Sequence, residues 1–318
     1  MAPKFYHFDM TQWKHHWDDV AYCNQDPRQK MDIILPDEGE GPFPLIVFVH
    51  GGGWVSGDKR ENTMPGAFKV MSQGYALASI EYRLAPDVTW PMPLYDVKAA
   101  IRYLRAHAGE YNLKTDKIAI WGNSAGGHII NMVAATGGST IQEDLTMGNP
   151  DQSSAVQCLV GLYSPSDMYE IDITNQLPLD TLTDATGTDV GQTDEREGMM
   201  YPHNMVAGFK LSRNRAAAAY LSPINFVKPD FPPAYYIHGV ADPIVPYTQS
   251  VAMANMINET CGAGRAKFEL VPGAVHGDPA LKTDEMTNKI LDFIDSVIWE
   301  GPHERTPLPT DLKLVGVE

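Results

Sequence analysis

Residues 117–135 read KIAIWGNSAGGHIINMVAA, and this stretch decides the fold. Its first five residues are mostly apolar and include two isoleucines, which predicts a short buried strand. Residues 126–135 are small and apolar and suit a helix. Between the two, Gly122 and Gly126 flank Ser124 in a G-x-S-x-G pattern. A strand, this pattern and a helix in succession predict a sharp turn that holds a serine nucleophile at a helix N-terminus, where free amides favour negative charge.

A second glycine cluster supports this interpretation, because G-x-S-x-G also arises by chance in loops. Residues 44–49 (PLIVFV) predict another buried strand, which ends at the run HGGG of residues 50–53. Glycines allow the backbone to approach a ligand closely. We therefore predict that the N–H groups of Gly52, Gly53 and Ala125 form an oxyanion hole. A plain glycine turn would explain the run but not its pairing with the serine motif.

Four motifs stand in one order along the chain: HGGGW (50–54), EYRLAP (81–86), GNSAGGH (122–128) and HGVAD (238–242). Together they resemble the esterase and lipase group of α/β-hydrolases, which includes the hormone-sensitive-lipase-like enzymes. The stretches LSPI (221–224), PPA (232–234) and HGVADPIVP (238–246) are similar to the bacterial feruloyl-esterase-like carboxylesterases. The resemblance runs from Met31 to Ile298 without the cap region. It implies an α/β-hydrolase fold, with a mostly parallel sheet flanked by helices, but says little about substrate.

The other members of a catalytic triad can be sought from chemistry, because a serine needs a base and the base needs an orienting carboxylate. In this fold the acid follows the serine and the histidine comes last. Asp242 lies in the turn after the strand predicted at 234–238, and His276 in the turn after the strand predicted at 267–271. Both turns belong to the carboxyl edge of a parallel sheet, where Ser124 also lies. We predict His276 as general base and then general acid, with Asp242 orienting it.

Asp167 is a rival to Asp242, because it follows the strand predicted at 156–162 and some hydrolases take their acid from that position. Asp242 is preferred because it stands in the pattern H-G-x-x-D-x-x-V-P, where the resembling family places its acid. Three other histidines lie in or beside the motifs and are expected to be structural: His50, His128 and His238.

Composition agrees with a soluble globular enzyme. The 318 residues are 43% hydrophobic and 20% charged, and such a chain can bury a sizeable core. The net charge of −16 disfavours nucleic acid and anionic membranes as partners. The three cysteines are widely spaced, which argues against a disulfide framework or a zinc site. No signal peptide or membrane span is visible, so we expect a cytoplasmic protein. A serine mechanism also requires no metal or organic cofactor, and we expect none. The oligomeric state stays open, a homodimer being one option.

Alternating strands and helices predict one α/β-hydrolase domain over residues 1–318. Strands are predicted at 28–35, 45–49, 75–82, 117–121, 156–162, 234–238 and 267–271. Helices are predicted at 65–73, 93–111, 126–135 and 279–299, with another before Gly262.

The pattern breaks over residues 168–214, which are turn-rich and acidic and which we interpret as a cap insertion over the site. A disordered surface loop is the alternative, but its end, residues 199–209, is too apolar for that. Methionine and aromatic side chains suit an acyl or aryl group. We therefore predict Met205 and Phe209 as pocket walls, with Trp54 as a further wall that could equally be a packing residue.

These residues predict a serine carboxylesterase that acts on small soluble esters through an acyl-Ser124 intermediate. Short acyl, acetylated sugar and hydroxycinnamoyl esters all fit. An arylformamidase or a peptidase of the same fold is the alternative within enzymes. A hydrolase-like binding protein without activity is the alternative outside them, although such proteins typically lack the nucleophile or the base.

Overall fold

The computed structural model describes residues 5–174 and 201–317, and within these ranges ten strands form two sheets. The strands are β1 (Phe5–Phe8), β2 (His16–Ala21), β3 (Lys30–Ile34), β4 (Phe43–Val49), β5 (Ala76–Ile80), β6 (Leu113–Asn123), β7 (Cys158–Leu162), β8 (Ala234–Gly239), β9 (Ala266–Val271) and β10 (Leu314–Val317). The larger sheet has the order β2-β3-β5-β4-β6-β7-β8-β9. Strands β1 and β10 pair with each other as a separate antiparallel ribbon.

Parallel pairing extends from β5 through β4 to β9, whereas β2, β3 and β5 pair antiparallel. The central strands are buried on both faces, as all seven residues of β4 are. A hydrophobic core lies on each face of the sheet, and alternate side chains of β4 pack in one or the other. Leu45 and Val47 belong to the first core, Ile46 and Phe48 to the second. The predicted mostly parallel sheet is confirmed.

Helices cover both faces of the sheet. They are α1 (Met92–Ala106), α2 (Ala125–Thr136), α3 (Met168–Thr174), α4 (Pro202–Ala207), α5 (Arg215–Leu221), α6 (Thr248–Cys261) and α7 (Asp284–Ile298). Helices α1, α2 and α6 pack in the core that contains Leu45, while α7 packs in the core that contains Phe48. Within the described ranges, none of the helices is both long and apolar enough to cross a bilayer.

Several predicted boundaries differ from the structure. The helix predicted at 93–111 ends at Ala106, because residues 107–111 turn back toward β6. Residues 65–73 form a 3₁₀ helix. The helix predicted at 279–299 is two elements, a 3₁₀ turn at Pro279–Leu281 and then α7, because the Thr283 side chain accepts a hydrogen bond from Met286 N and caps a new helix. Strands β1, β2 and β10 were not predicted.

The carboxyl ends of β6, β8 and β9 open onto one edge of the sheet. Neighbouring strands are in register there, Asn123 beside Leu162 and Gly239 beside Val271. The three loops in which the triad is predicted therefore leave the sheet at the same edge, with β7 between β6 and β8. The predicted cap, residues 168–214, contains α3, α4 and a 3₁₀ turn at Leu211–Arg213, with residues 175–200 outside the described ranges.

Candidate active site

Ser124 stands on a strained turn between β6 and α2. Its backbone has φ 51° and ψ −121°, a conformation that residues with a Cβ rarely adopt. The turn is held on one side by a hydrogen bond from Ser124 N to Leu162 O (2.9 Å). On the other side, a Cβ on Gly126 would lie 2.1 Å from Val49 O, so only glycine lets the turn approach the end of β4 this closely. The G-x-S-x-G pattern is thus required by the packing of the turn.

The structure brings Ser124, His276 and Asp242 into one hydrogen-bonded chain. His276 Nε2 lies 2.9 Å from Ser124 Oγ, and His276 Nδ1 lies 2.7 Å from Asp242 Oδ2. These distances suit an Nδ1–H that donates to the carboxylate and an Nε2 that accepts the serine proton. The ring of Tyr163 packs edge-on against the imidazole, with centroids 4.6 Å apart, and so fixes its orientation.

Asp242 is held in its ionised form by the groups around it. Burial opposes the charge, but hydrogen bonds from His238 and His276 and from Val245 N hold the pKa of this carboxyl well below its usual range. Its second oxygen accepts from Ile244 N and Val245 N, both at 2.9 Å. The carboxylate is therefore fixed in position and available to stabilise an imidazolium at His276.

His238 is a partner of Asp242 that the sequence analysis did not identify. Its Nε2 lies 2.8 Å from Val245 O and 3.2 Å from Asp242 Oδ2, and its Nδ1 lies 2.8 Å from Ser250 Oγ. These contacts fit an Nε2–H that donates and an Nδ1 that accepts from the Ser250 hydroxyl. His238 is structural, as expected, but its position supports the carboxylate.

The glycine loop after β4 lies against the serine turn. A Cβ on Gly51 would be 3.3 Å from Ser124 Cβ, so the two loops are in contact. Within the described residues, the N–H groups of Gly52, Gly53 and Ala125 have no acceptor. Three unused donors beside a serine are what a developing oxyanion requires.

Tyr82 and His50 brace this loop from below. Tyr82 Oη donates to the carbonyl oxygens of His50 (3.1 Å) and Gly51 (3.2 Å), and the Tyr82 ring stacks on His50 with centroids 4.4 Å apart. His50 Nδ1 lies 2.7 Å from Gly51 O. Burial lowers the pKa of His50 to about 4, so the ring is neutral and its Nδ1–H donates. His50 is thus a loop support, in agreement with the expectation.

Glu81 and Arg28 extend the brace to the far end of the loop. Glu81 is buried, forms an ion pair with Arg28, and accepts from Lys59 N at 3.2 Å. Burial raises the pKa of Glu81 to about 7. Arg28 also donates to Gly57 O at 2.9 Å. The EYRLAP motif therefore supplies the support for the HGGG loop, which explains why the two motifs occur together.

Helix α4 brings part of the predicted cap beside the glycine loop. A Cβ on Gly53 would lie 3.0 Å from the Pro202 side chain, and Trp90 N donates to Val206 O at 2.7 Å. Met205 and Phe209 are partly buried and pack against the main core. Residues 199 and 200 of the predicted apolar cluster lie outside the described ranges.

Trp54 and Asp172 hold neighbouring parts of this region. Trp54 is buried, with its ring edge-on to His128 at 5.2 Å, so it packs beneath the loop. Asp172 accepts from His203 Nε2 (2.9 Å), Asn204 Nδ2 (2.7 Å) and Ser212 N (2.7 Å). This carboxylate therefore ties α3 to α4 and to the 3₁₀ turn that follows.

Asp167, the rival acid, lies at the start of α3. Its Oδ1 accepts from Tyr169 N and Glu170 N at 3.0 and 3.1 Å, and its N–H donates to Gln249 Oε1. This is the geometry of a helix cap. Within the described residues Asp167 has no hydrogen bond to His276, whereas Asp242 has one.

The α/β-hydrolase fold combines a mostly parallel sheet with a serine on a strand–turn–helix elbow, followed along the chain by an acid and then a histidine. This chain has all of these features in that order. The BD-FAE family model matches residues 31–257, more than half of the chain. The chain therefore belongs to the BD-FAE family, which is bacterial feruloyl-esterase-like.

Comparison with individual proteins agrees with this assignment. The chain is 28% identical to the esterase LipC of Mycobacterium tuberculosis over 86% of its own length and 63% of that protein. A truncated form of a carbohydrate esterase from gut microbiota has a TM-score of 0.76 at 25% identity, covering 91% of this chain and 98% of that one. A bifunctional GH43-CE protein of Bacteroides eggerthii has a TM-score of 0.74 at 27% identity, and the match covers 88% of this chain and 35% of that one.

The chain spans between 52% and 63% of the length of the first three curated relatives that it matches.

Proposed function

We propose that this protein is a serine carboxylesterase that hydrolyses small carboxylic esters through an acyl-Ser124 intermediate. One observation carries the proposal: the chain from Ser124 Oγ through His276 to Asp242, with distances of 2.9 and 2.7 Å. The names of the similar proteins, which are esterases, support the same class of reaction.

Acylation uses the geometry directly. His276 Nε2 takes the proton of Ser124 Oγ as the oxygen attacks the ester carbonyl. Asp242 stabilises the imidazolium that forms. The carbonyl oxygen becomes negative and accepts hydrogen bonds from Gly52, Gly53 and Ala125 N–H, donors that each contribute roughly 3–4 kcal/mol in comparable sites.

The ester then divides into alcohol and acyl-enzyme. His276 gives its proton to the leaving alcohol oxygen as the C–O bond breaks, which leaves the acyl group on Ser124. Water enters, loses a proton to the same nitrogen and attacks the acyl carbonyl. Collapse of this second oxyanion releases the acid and returns the proton to Ser124. Every proton is moved by residues of this chain.

Esters of carbohydrates are the substrates to test first. A similar solved structure is that of a carbohydrate esterase, and the family is feruloyl-esterase-like. Acetylated sugars and hydroxycinnamoyl esters of sugars both present a small acyl group on a polar alcohol. Met205 and Phe209 are proposed as apolar walls for the acyl group, whereas Trp54 is buried and packs beneath the glycine loop.

The first experiment is the initial rate of hydrolysis of p-nitrophenyl esters from acetate to decanoate, with Ser124→Ala measured in parallel. We expect activity that falls beyond butyrate and is lost in the variant. Mass spectrometry of protein quenched during turnover should find one acyl group on the peptide that contains Ser124. A rate equal in both proteins at every chain length would refute the proposal.

Amide hydrolysis is the competing reaction, because an amine can also leave from such a site. The matched pair is p-nitrophenyl acetate and p-nitroacetanilide, which share the acyl group. We expect the ester to be preferred by several orders of magnitude in kcat/KM. Comparable values would instead favour an amidase.

A further inference from the structure

Lys282 presents an ammonium group next to the catalytic histidine loop. It follows the 3₁₀ turn Pro279–Leu281, and its chain folds back toward Gly277, the residue after His276. Its Nζ lies 3.7 Å from the point that a Cβ on Gly277 would occupy. Lys282 is partly buried, yet within the described residues its ammonium has no hydrogen bond and no ion pair.

Asp278, the carboxylate that attracts Lys282, is already engaged in the turn. Asp278 accepts from Ala280 N at 2.9 Å and from Val275 N at 3.3 Å, which shapes the turn. Asp278 attracts the Lys282 ammonium electrostatically but forms no hydrogen bond with it. Burial lowers the pKa of this lysine, because it disfavours the charged form. A partly desolvated cation without a partner costs free energy that an incoming anion would offset.

A second donor faces the same place. Tyr163 Oη lies 3.9 Å from the same Gly277 point and accepts from Asn123 Nδ2 at 3.2 Å. Among the described residues its own O–H has no acceptor. Two groups with protons to give, and no acceptor between them, suit a ligand that only accepts hydrogen bonds. An ionised carboxylate is such a ligand.

The proposed reaction determines which part of the ester lies on the side of Lys282. His276 protonates the leaving oxygen, so the alcohol must lie against the His276 loop. The acyl carbonyl is held on the other side, by the glycine loop. His276 contacts Ser124 and is followed directly by Gly277, so Lys282 lies beside the same loop that faces the leaving alcohol. The alcohol is therefore the part of the ester on the side of this ammonium.

Resting on the proposed esterase function, we propose that Lys282 recognises a carboxylate on the alcohol part of the ester. The enzyme would thus favour esters of acidic alcohols, of which uronic acids are the carbohydrate example. The overall charge of the chain makes this position distinctive. A net charge of −16 repels anions in general, so an unpaired cation beside the reactive serine supplies local attraction for one.

The test compares two butyrate esters whose alcohols differ only in charge, 4-butyryloxybenzoate and 4-butyryloxybenzamide. For the wild type and for Lys282→Met, we measure kcat/KM on both. We expect the ratio of benzoate to benzamide to fall about tenfold in the variant, chiefly through KM, and to be restored by Lys282→Arg. The control is Lys267→Met, which removes an exposed ammonium from β9 and should change the ratio less than twofold.

A third ester, mono-p-nitrophenyl glutarate, carries its carboxylate on the acyl part. If Lys282→Met lowers kcat/KM for this ester and spares the benzoate ratio, the assignment to the alcohol is wrong. A ratio unchanged in Lys282→Met, or one that Lys267→Met changes equally, overturns the role of Lys282.

A separate measurement keeps this proposal apart from the esterase function. The esterase function predicts that the wild type hydrolyses the benzamide ester and that Ser124→Ala does not. If the wild type is no faster than Ser124→Ala, the esterase function is contradicted. Binding of 4-hydroxybenzoate and 4-hydroxybenzamide to Ser124→Ala protein, followed by NMR titration, then decides about Lys282. Adding Lys282→Met should weaken the benzoate alone, and equal binding before and after this change would refute the proposal.

Discussion

Asp242 and His276 lie in loops that follow two neighbouring parallel strands, and Asp242 Oδ2 is 2.7 Å from His276 Nδ1. We propose from this contact that Asp242 is the acid of the triad. Asp242→Asn should then lower kcat about 10³–10⁴-fold, because an amide cannot stabilise the imidazolium. Asp167→Asn is the matched control. Its carboxylate caps α3, and asparagine caps a helix about as well as aspartate, so we expect kcat within about threefold of the wild type and little change in stability. A larger loss of kcat in Asp167→Asn than in Asp242→Asn would reverse the assignment.

Tyr82 offers a test of the brace beneath the oxyanion loop. Tyr82→Phe removes the hydroxyl that donates to His50 O and Gly51 O, so the loop should lose its alignment and kcat should fall about 5–10-fold. Tyr236→Phe removes an equally buried hydroxyl outside the brace, which donates to Asn131 Oδ1 at 2.6 Å. Urea unfolding should find both variants destabilised by about 1 kcal/mol. If kcat drops alike in the two, the brace has no catalytic role.

Gly52 tests whether the shape of the same loop matters. Its φ is +103°, and an added Cβ would lie 2.2 Å from Ser56 O. Gly52→Ala must therefore move the loop and should cost about 10²–10³ in kcat. Gly262 has φ +102° with nothing within 4 Å of an added Cβ, so Gly262→Ala reproduces the strain without the collision. Steady-state kinetics on p-nitrophenyl acetate should leave Gly262→Ala near the wild type. Equal losses of kcat in Gly52→Ala and Gly262→Ala would mean that backbone strain alone causes the effect.

Asp172 should make the stability of the protein depend on pH. Burial opposes its charge, but hydrogen bonds from His203, Ser212 and Asn204 hold its pKa below the usual value near 3.8. The stabilisation is therefore present above about pH 4 and is lost as the pH falls further. We expect Asp172→Asn to unfold about 1–2 kcal/mol more easily than the wild type at pH 7.

The difference between Asp172→Asn and the wild type should narrow at pH 3, in urea titrations at both pH values. Asp87→Asn, which alters an exposed carboxylate, serves as the control and should match the wild type throughout. A difference that stays constant with pH would mean that the charge of Asp172 contributes nothing.

The sequence predicted the central sheet and the site loops because each depends on local pattern. Continuous apolar runs marked β4 and β8, and glycine-rich turns marked their carboxyl ends. Strand β2 was missed because HWDDVA has no clean alternation, and its pairing with β3 shifts register between Trp17 and Val20. Strands β1 and β10 are four residues each and pair across almost the whole chain, which no local pattern can predict.

Contacts around the site were harder to predict than its position. His238 reaches Asp242 only because the turn between them folds back, and Tyr82 reaches Gly51 only through the pairing of β4 with β5. The fold-back of Lys282 toward Gly277 depends on a break between two helices that was predicted as one. Such contacts come from tertiary packing, which the order of motifs does not specify.

The backbone at Ser124 also limits which nucleophile this fold can carry. A threonine would bring the same hydroxyl, but its branched Cβ is strongly disfavoured at φ 51°. Cysteine has an unbranched Cβ like serine and could take the position with its backbone unchanged. The backbone of the elbow thus accommodates a cysteine in place of Ser124 but disfavours a threonine. A variant that forms a thioester intermediate on cysteine is therefore easier to accommodate here than one that uses a threonine nucleophile.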